Sequence, residues 1–232
     1  MPKGKTGMEI DQRLRRAGRP ATAVLSKSII THAALRMLDN DGSQGLTMSR
    51  LAKSLGVMPS ALYNHVESKD EIISGVRELI SDRIDVSDFD TKTWDEAMLS
   101  WAYSYRAAFA THPQTIALFA TLPLGVAHRT TAMYETVTAA LVRAGWPEEE
   151  VLSTIVAVES FILGSALDAV APEDMFALTG RESTAPVFSS AYAAREAHHG
   201  GEGVAEHAFA IGIHALLAGL TLRYEEKPVQ RL

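Results

Sequence analysis

Apolar residues recur every three or four positions along most of the chain, a period typical of helices that bury one face. The first such segment predicts a helix from about residue 26 to residue 40, and its buried stripe is Ile30, Ala33, Ala34, Met37 and Leu38. Further helices are predicted near residues 68–84, 94–110, 113–120, 125–144, 147–170, 187–196 and 204–223. No segment alternates apolar and polar residues as a strand does, so the pattern predicts an all-α protein.

Between residues 46 and 69 the pattern predicts two short helices joined by a tight turn. Thr47 is a suitable N-cap for the first helix. Gly56 ends that helix, because glycine tolerates the positive φ that is common just after a helix. The second helix is predicted over residues 60–66 and buries Leu62 and Val66 at i and i+4. Its outer faces then carry Ser60, Ala61, Tyr63, Asn64 and His65. Small, hydrogen-bonding side chains suit a recognition helix in the DNA major groove, whereas an ordinary pair of packed helices is the alternative.

Charge is divided unevenly along the chain. Residues 1–69 hold 11 lysine and arginine residues and 5 acidic residues. Residues 70–232 hold 11 lysine and arginine residues and 23 acidic residues. A net charge of +6 at the front and −12 behind suits a polyanion-binding head on a body that does not bind DNA. The chain has no cysteine, which excludes disulfides and thiolate sites. We expect no apolar run of the ~20 residues that a membrane span needs, and therefore a cytoplasmic protein with no membrane partner.

These patterns divide the chain into three predicted regions. Residues 1–25 form a basic flexible arm, residues 26–72 a helix-turn-helix DNA-binding domain, and residues 73–232 a larger helical ligand-binding and dimerisation domain. The arm carries Arg15, Arg16 and Arg19, which would neutralise phosphates or enter the minor groove. A tail that only solubilises the protein is the alternative. Ser68 and Glu71 have the spacing of a capping box, which predicts the start of a long helix joining head and body. A second capping box is predicted over residues 93–96.

The head carries a specific combination of motifs: Leu55-Gly56-Val57, Leu62-Tyr63-Asn64-His65-Val66 and Lys69-Asp70-Glu71. In this order and spacing they resemble the TetR family of one-component transcriptional regulators. The body is similar, more loosely, to that of tetracycline-repressor-like members. The resemblance implies a homodimeric repressor that binds a palindromic double-stranded DNA operator and is released by a small-molecule inducer.

The resemblance also implies which side chains meet DNA: Thr47, Met48, Arg50, Ser60, Ala61, Tyr63, Asn64, His65 and Lys69. Their chemistry agrees, since asparagine can bond adenine in a bidentate pair and tyrosine or lysine suits phosphate oxygens. One position departs from the family pattern. Many relatives have a basic residue directly after the position of Met48, where this chain has Ser49, with Arg50 one place later.

The body has to provide a ligand cavity, which requires mostly apolar walls and a few polar groups. The candidates are Trp101, Tyr105, Phe109, Phe119, His128, Glu159, Phe161 and Asp168. Plain core packing is the alternative for each aromatic residue. An unpaired carboxylate among apolar neighbours is costly, so Glu159 is expected to pair with Arg106 or Arg129 or to contact a ligand.

Two predicted helices, 147–170 and 204–223, are apolar on almost every side. A symmetric four-helix interface with a second copy would cover them. The residues predicted for this interface are Ile155, Val158, Ile162, Ala166, Phe209, Ile213, Leu216 and Leu220.

We expect neither a cofactor nor a metal site. In the tetracycline-binding relatives a metal-bearing histidine lies in the short helix where this chain has Phe119, and His198 and His199 are expected in a solvated glycine-rich loop. Two alternatives to a DNA-binding regulator remain. One is an enzyme with His112 or His128 as its acid–base group, although no nucleophile–base–orienter spacing is present and we expect no catalytic residues. The other is a helical ligand-binding or interaction protein that does not act through DNA.

Overall fold

The computed structural model describes residues 25–125, 127–172, 174–199 and 203–225. Within these ranges the chain is helical and has no strand, which confirms the all-α prediction. The α-helices are α1 Lys27–Gly45, α2 Met48–Ser54, α3 Pro59–Leu62, α4 Lys69–Ser81, α5 Trp94–Ala110, α6 Ile116–Ala120, α7 His128–Arg143, α8 Glu148–Asp168, α9 Pro186–His199 and α10 Val204–Glu225. The predicted basic arm, with Arg15, Arg16 and Arg19, lies outside the described residues apart from Leu25.

Helices α1 to α3 form the head, and side-chain caps fix where its helices begin. The hydroxyls of Ser26 and Thr47 accept hydrogen bonds from the amides of Ile29 and Arg50, at 3.3 and 3.2 Å. Each bond satisfies one of the amides that the first turn of a helix leaves without a partner. Helix α1 extends five residues beyond its predicted end, to Gly45. The backbone is not helical at Gly42, where φ is 65°.

The turn between α2 and α3 has the predicted glycine, and the second helix is shorter than predicted. Gly56 has φ of 67°, a conformation that glycine adopts without steric cost. Helix α3 ends at Leu62 instead of residue 66, because the carbonyl of Leu62 accepts from the amides of both His65 and Val66, which tightens the last turn. Tyr63, Asn64 and His65 therefore lie in a turn that follows α3.

The body is built around α5 and α8, which pack against each other and against α10, while α7 contacts α4 and α8. Trp101 and Met98 of α5 and Val158 and Ile162 of α8 are fully buried. The close approach of α8 and α10 requires a glycine, since a Cβ on Gly212 would lie 2.3 Å from the ring of Phe161. Thr93 precedes α5, but its side chain makes no cap hydrogen bond, so the second predicted capping box is not formed.

Helices α8 and α10 are strongly apolar over most of their length. The mean hydropathy of an 18-residue window is 1.6 in α8 and 1.4 in α10, which meets a membrane span by length and composition only, so the expectation of no such segment is wrong. Packing within the body accounts for α8, which contacts α5, α7 and α10 and carries the buried Glu159.

Most of the predicted dimer residues face the core of the protomer. Six of them are buried in the core of the protomer and at most 1 % exposed: Ile155, Val158, Ile162, Ala166, Phe209 and Ile213. The other two, Leu216 and Leu220, are partly exposed. The exposed apolar residues lie on other faces of the same helices and include Leu152, Val156, Leu167, Ile211 and Leu222. Periodicity alone does not show which of two apolar faces meets the chain's own core.

Candidate functional site

The residues predicted to meet DNA form an exposed surface around α3. Ser60, Tyr63, Asn64, His65 and Lys69 are exposed, whereas Leu62 and Val66 point into the head. Thr47 is also exposed, and Met48 and Ala61 are half-buried beside this surface. In the described part of the chain, no hydrogen bond or ion pair engages the side chains of Asn64 and Lys69. The surface therefore presents polar groups that are available to a groove and its phosphates.

One predicted residue of this region is engaged within the head, and one exposed residue was not predicted. Arg50 donates to the Asp41 carboxylate at 2.5 Å and to the Gly45 carbonyl at 2.8 Å, so it braces the turn between α1 and α2 instead of pointing outward unpaired. Met58, which the sequence reading omitted, is 72 % exposed at the N-cap of α3. Its position directly before the helix-starting Pro59 is the signal that could have identified it.

The start of α4 is tied to α1 by a short network. Ser68 Oγ accepts from the amide of Glu71, and Glu71 Oε2 accepts from the amide of Glu67 at 2.6 Å. The other Glu71 oxygen pairs with Lys27 of α1 at 2.5 Å, and this hydrogen bond lowers the pKa of the Glu71 carboxyl. The predicted capping box forms, although its return bond reaches the residue before Ser68. Helix α4 is thus held by the head at one end and enters the body at the other.

A cavity of about 320 Å³ lies in the body where α4, α5, α6, α7 and α8 meet. Four of the predicted ligand residues line it: Tyr105, Phe109, Phe119 and Glu159. The other wall residues are Arg77, Ser81, Ile116, Ala120, Leu122, Leu124, Thr130, Tyr134, Val156, Ser160 and Leu163. The walls are mostly apolar, with a few hydroxyls and two side chains of opposite charge, Arg77 and Glu159.

The other four predicted ligand residues lie elsewhere. Trp101 is fully buried behind the cavity, edge-on to Tyr105, and belongs to the core. Phe161 stacks on Phe209 with ring centroids 5.7 Å apart, between α8 and α10. His128 is exposed at the first residue of α7, and Asp168 lies at the far end of α8. Aromatic type and helical spacing identified the region of the cavity without separating its walls from the core.

Glu159 is 9 % exposed, and its partner is a tyrosine instead of an arginine. The Tyr134 hydroxyl donates to Glu159 Oε1 at 2.5 Å. Burial raises the pKa of the Glu159 carboxyl, although the hydrogen bonds from Tyr134 and Tyr105 oppose that shift. The expected ion pair is wrong, because Arg106 pairs with Glu206 and Arg129 pairs with Asp82. In the same network, burial and the Glu159 charge raise the pKa of the Tyr134 hydroxyl.

Arg77 is the charged residue of the cavity wall that was not predicted from the sequence. It is 6 % exposed on α4 and donates to three carbonyls just beyond and within α6: those of Pro123 at 2.7 Å, Leu122 at 2.9 Å and Phe119 at 3.3 Å. Its guanidinium also lies 5.1 Å from the centroid of the Phe119 ring. An arginine inside the apolar stripe of α4 is the signal that could have identified it. One side chain thus joins α4, the C-terminal end of α6 and the cavity wall.

A second cavity, of about 900 Å³, lies among the C-terminal end of α8, α9 and the start of α10. Asp168 lines it, as do three histidines: His198, His199 and His207. His198 and His199 belong to the last turn of α9, so their predicted place in a loop is wrong, and His199 stacks on His207 at 3.8 Å. Across the described residues, no group of three or more histidine, cysteine or acidic side chains is arranged to hold a metal ion.

The comparisons with known proteins agree with this geometry in both parts of the chain. Residues 30–76 match the family model of bacterial regulatory proteins of the tetR family, and residues 88–224 match the tetracyclin repressor-like C-terminal domain. The chain belongs to the TetR family. As a member it is a transcriptional regulator, and the alternative of an enzyme is not favoured because its relatives are regulators.

Individual relatives of this TetR-family chain are distant but match most of its length. An HTH-type transcriptional regulator of Saccharopolyspora erythraea is 28 % identical over 176 residues, 76 % of this chain and 72 % of the relative. The tetracycline repressor protein class E of Escherichia coli is 27 % identical over 210 residues, 88 % of this chain and 95 % of the relative. The Streptomyces coelicolor TetR family protein ActR, solved in complex with actinorhodin, has a TM-score of 0.63 at 23 % identity and covers 86 % of this chain and 98 % of its own.

Proposed function

We propose that the protein is a homodimeric, cytoplasmic repressor that binds a palindromic operator and releases it when a small molecule fills the 320 Å³ cavity. Arg77 is the observation that carries this proposal. It lines the cavity, and it holds the segment after α6 against α4, whose N-terminal end is tied to the head through Glu71 and Lys27. A ligand that displaces this segment would therefore act on the helix that sets the position of the head.

The exposed surface around α3 would contact the operator. Asn64 can bond adenine N6 and N7, Ala61 can pack on a thymine methyl group, and Tyr63 and Lys69 can contact phosphates. The basic arm, with Arg15, Arg16 and Arg19, would add phosphate contacts that depend on salt concentration. Sequence preference would thus come from α3 and the turn after it, and much of the affinity from the lysine and arginine side chains.

A second copy would pack on the exposed apolar faces of α8 and α10. These faces combine large residues such as Leu152, Ile211 and Leu222 with the exposed small residues Ala215 and Ala218, which allow two helices to approach closely. Two helices from each copy would form a four-helix bundle around a twofold axis. Such a dimer would place two recognition helices about 34–36 Å apart, one turn of B-DNA.

Release would follow from a shift between two arrangements of the body. Phe119 forms part of the cavity wall and its carbonyl accepts from Arg77, so a ligand against its ring would disturb the bonds that fix α4. A coupling of about 1–3 kcal/mol between the two sites would lower operator affinity by roughly 5- to 150-fold. The likeness to a tetracycline repressor and to ActR supports a ligand with an extended ring system.

A mobility-shift titration on the DNA upstream of the protein's own gene tests the DNA-binding part. Asn64→Ala should relax the preference at one base position at a cost of about 1–3 kcal/mol, and Lys69→Ala should weaken all sequences alike and flatten the salt dependence. Lys92→Ala, which removes the same charge from the body, should leave binding unchanged. An Asn64→Ala protein with unaltered base preference in a binding-site selection would show that the proposed groove face is wrong.

A further inference from the structure

We propose that the cavity selects planar aromatic cations whose charge is shared by N–H groups, with the Glu159 carboxylate as the acceptor for one of those N–H groups. This inference rests on the proposed function, since it names the chemical class of ligand for the same cavity.

Glu159 is a buried acid with only neutral groups as hydrogen-bond partners. Among the described residues it is the single acidic residue on the cavity wall, and no lysine, arginine or histidine of the described ranges lies within ion-pairing distance of it. Its hydrogen-bond partner is the Tyr134 hydroxyl, and the Tyr105 hydroxyl lies nearby. A buried carboxylate without a counter-charge is costly. A cationic ligand would supply that counter-charge, and the ion pair would favour its binding.

Arg77, the basic residue on the same wall, does not fill this role. Its Nη1 donates to the carbonyl of Pro123 and its Nη2 to those of Leu122 and Phe119. The guanidinium is thus directed at the end of α6 and forms no ion pair with Glu159 in the described part of the chain. These bonds engage three of the five N–H groups of the guanidinium with the end of α6, so Glu159 has no arginine partner and remains available to a cation.

The aromatic walls of the cavity also suit a flat cation. The rings of Tyr105 and Phe109 lie 5.1 Å apart and nearly parallel, at 16°, and Phe119 stands edge-on to Phe109 at 6.2 Å. Ring faces attract cations and stack on planar ligands. A volume of about 320 Å³ lies at the lower end of ligand sites and suits two or three fused rings.

The charge of the body acts in the same direction over a longer range. Residues 70–232 have a net charge of −12, which raises the concentration of cations near the protein and lowers that of anions. Charge, ring geometry and the single buried acid therefore favour the same class of ligand.

A fluorescence titration of the full-length protein without DNA tests the proposal with two probes of one ring outline. 9-Aminoacridine is a cation at neutral pH, and acridone is neutral. The wild-type protein should bind 9-aminoacridine at least ten-fold more tightly than acridone. Glu159→Gln, which keeps an acceptor for Tyr134 but removes the charge, should weaken 9-aminoacridine at least ten-fold and change acridone by less than three-fold.

Glu135→Gln is the matched control, because Glu135 is exposed on α7 and its loss changes the net charge equally. It should leave both affinities within two-fold of wild type. Equal affinities of the two probes for the wild type, no saturable binding of 9-aminoacridine, or tight binding retained by Glu159→Gln would each overturn the proposed ligand class.

Operator release is measured separately, by adding each probe to the protein–operator complex of the wild type and of Glu159→Gln. Acridines bind DNA to the same extent in both samples, so the difference between them reports on the protein. If 9-aminoacridine binds through Glu159 but releases no operator, the ligand class is supported and the proposed release is wrong. If acridone releases the operator from the wild type and from Glu159→Gln as well as 9-aminoacridine does, the proposed release is supported and the ligand class is wrong.

Discussion

His112 and Asp39 join the body to the head, with Nδ1 of the histidine 2.9 Å from Oδ1 of the aspartate. Asp39 lies on α1, and His112 lies between α5 and α6. On the other side of the ring, Arg83 Nη1 lies 3.4 Å from His112 Nε2 and donates to the Thr111 hydroxyl at 2.9 Å. Because an arginine can only donate, this arrangement favours the tautomer in which Nε2 accepts and Nδ1 donates to Asp39. The head is thus attached to the body both near α6 and through α4.

A double-mutant cycle of His112→Ala and Asp39→Ala should show a coupling free energy of about 0.5–1.5 kcal/mol between the two residues. The pair is partly screened by solvent, so the value should lie below that of a buried charged pair. Urea unfolding of the four proteins measures it. Strictly additive effects of the two substitutions would show that the contact does not hold the head in solution.

Arg77→Lys should lower the free energy of unfolding by about 1–3 kcal/mol. An ammonium group cannot reach three carbonyls in the fork geometry of a guanidinium, so at least one of the carbonyls of Phe119, Leu122 and Pro123 would lose its partner. The variant should also respond less to inducer, measured as the ratio of operator affinities with and without ligand. Arg129→Lys is the control, because Arg129 is an exposed residue whose guanidinium meets a single carboxylate.

Ile211→Glu should dissociate the proposed dimer, because it places a charge on the exposed apolar face of α10. Analytical ultracentrifugation should then report a species of about half the wild-type mass with unchanged helix content by circular dichroism. Met58→Glu, the same kind of change at an exposed position of the head, should leave the mass unchanged. A dimer that survives Ile211→Glu at micromolar concentration would place the interface elsewhere.

Glu159→Gln should stabilise the protein increasingly as the pH rises. Burial raises the pKa of the Glu159 carboxyl, so the folded protein keeps this proton to higher pH than the unfolded chain does. Wild-type stability therefore falls as the pH rises from the unfolded pKa through the folded one, and the variant avoids this loss. Thermal unfolding between pH 4.5 and 8 should show a growing difference in Tm, of about 2–4 °C for each ~1 kcal/mol. Glu135→Gln should give no such trend.

Much of the head could be predicted from local sequence, because its signals are short-range. Thr47 and Ser68 are helix caps and Gly56 provides a positive φ, each through contacts with residues at most four positions away. The exposed polar surface of Ser60, Asn64 and Lys69 follows from the burial of Leu62 and Val66 at helical spacing. The family motifs lie in this same segment, and the family model matches it.

In the body, the sequence by itself determined the helices and the presence of two strongly apolar ones, but not which residues face the core, the cavity or a partner. Tertiary structure alone decided that Ile162 lies in the core while Val156 is exposed, and that Arg77 meets carbonyls more than forty positions away. It also decided that Glu159 bonds to Tyr134 and not to Arg106 or Arg129, the two positively charged partners expected from the sequence. Helical periodicity is a property of neighbouring residues, whereas the choice among apolar faces and among polar partners depends on how whole helices pack.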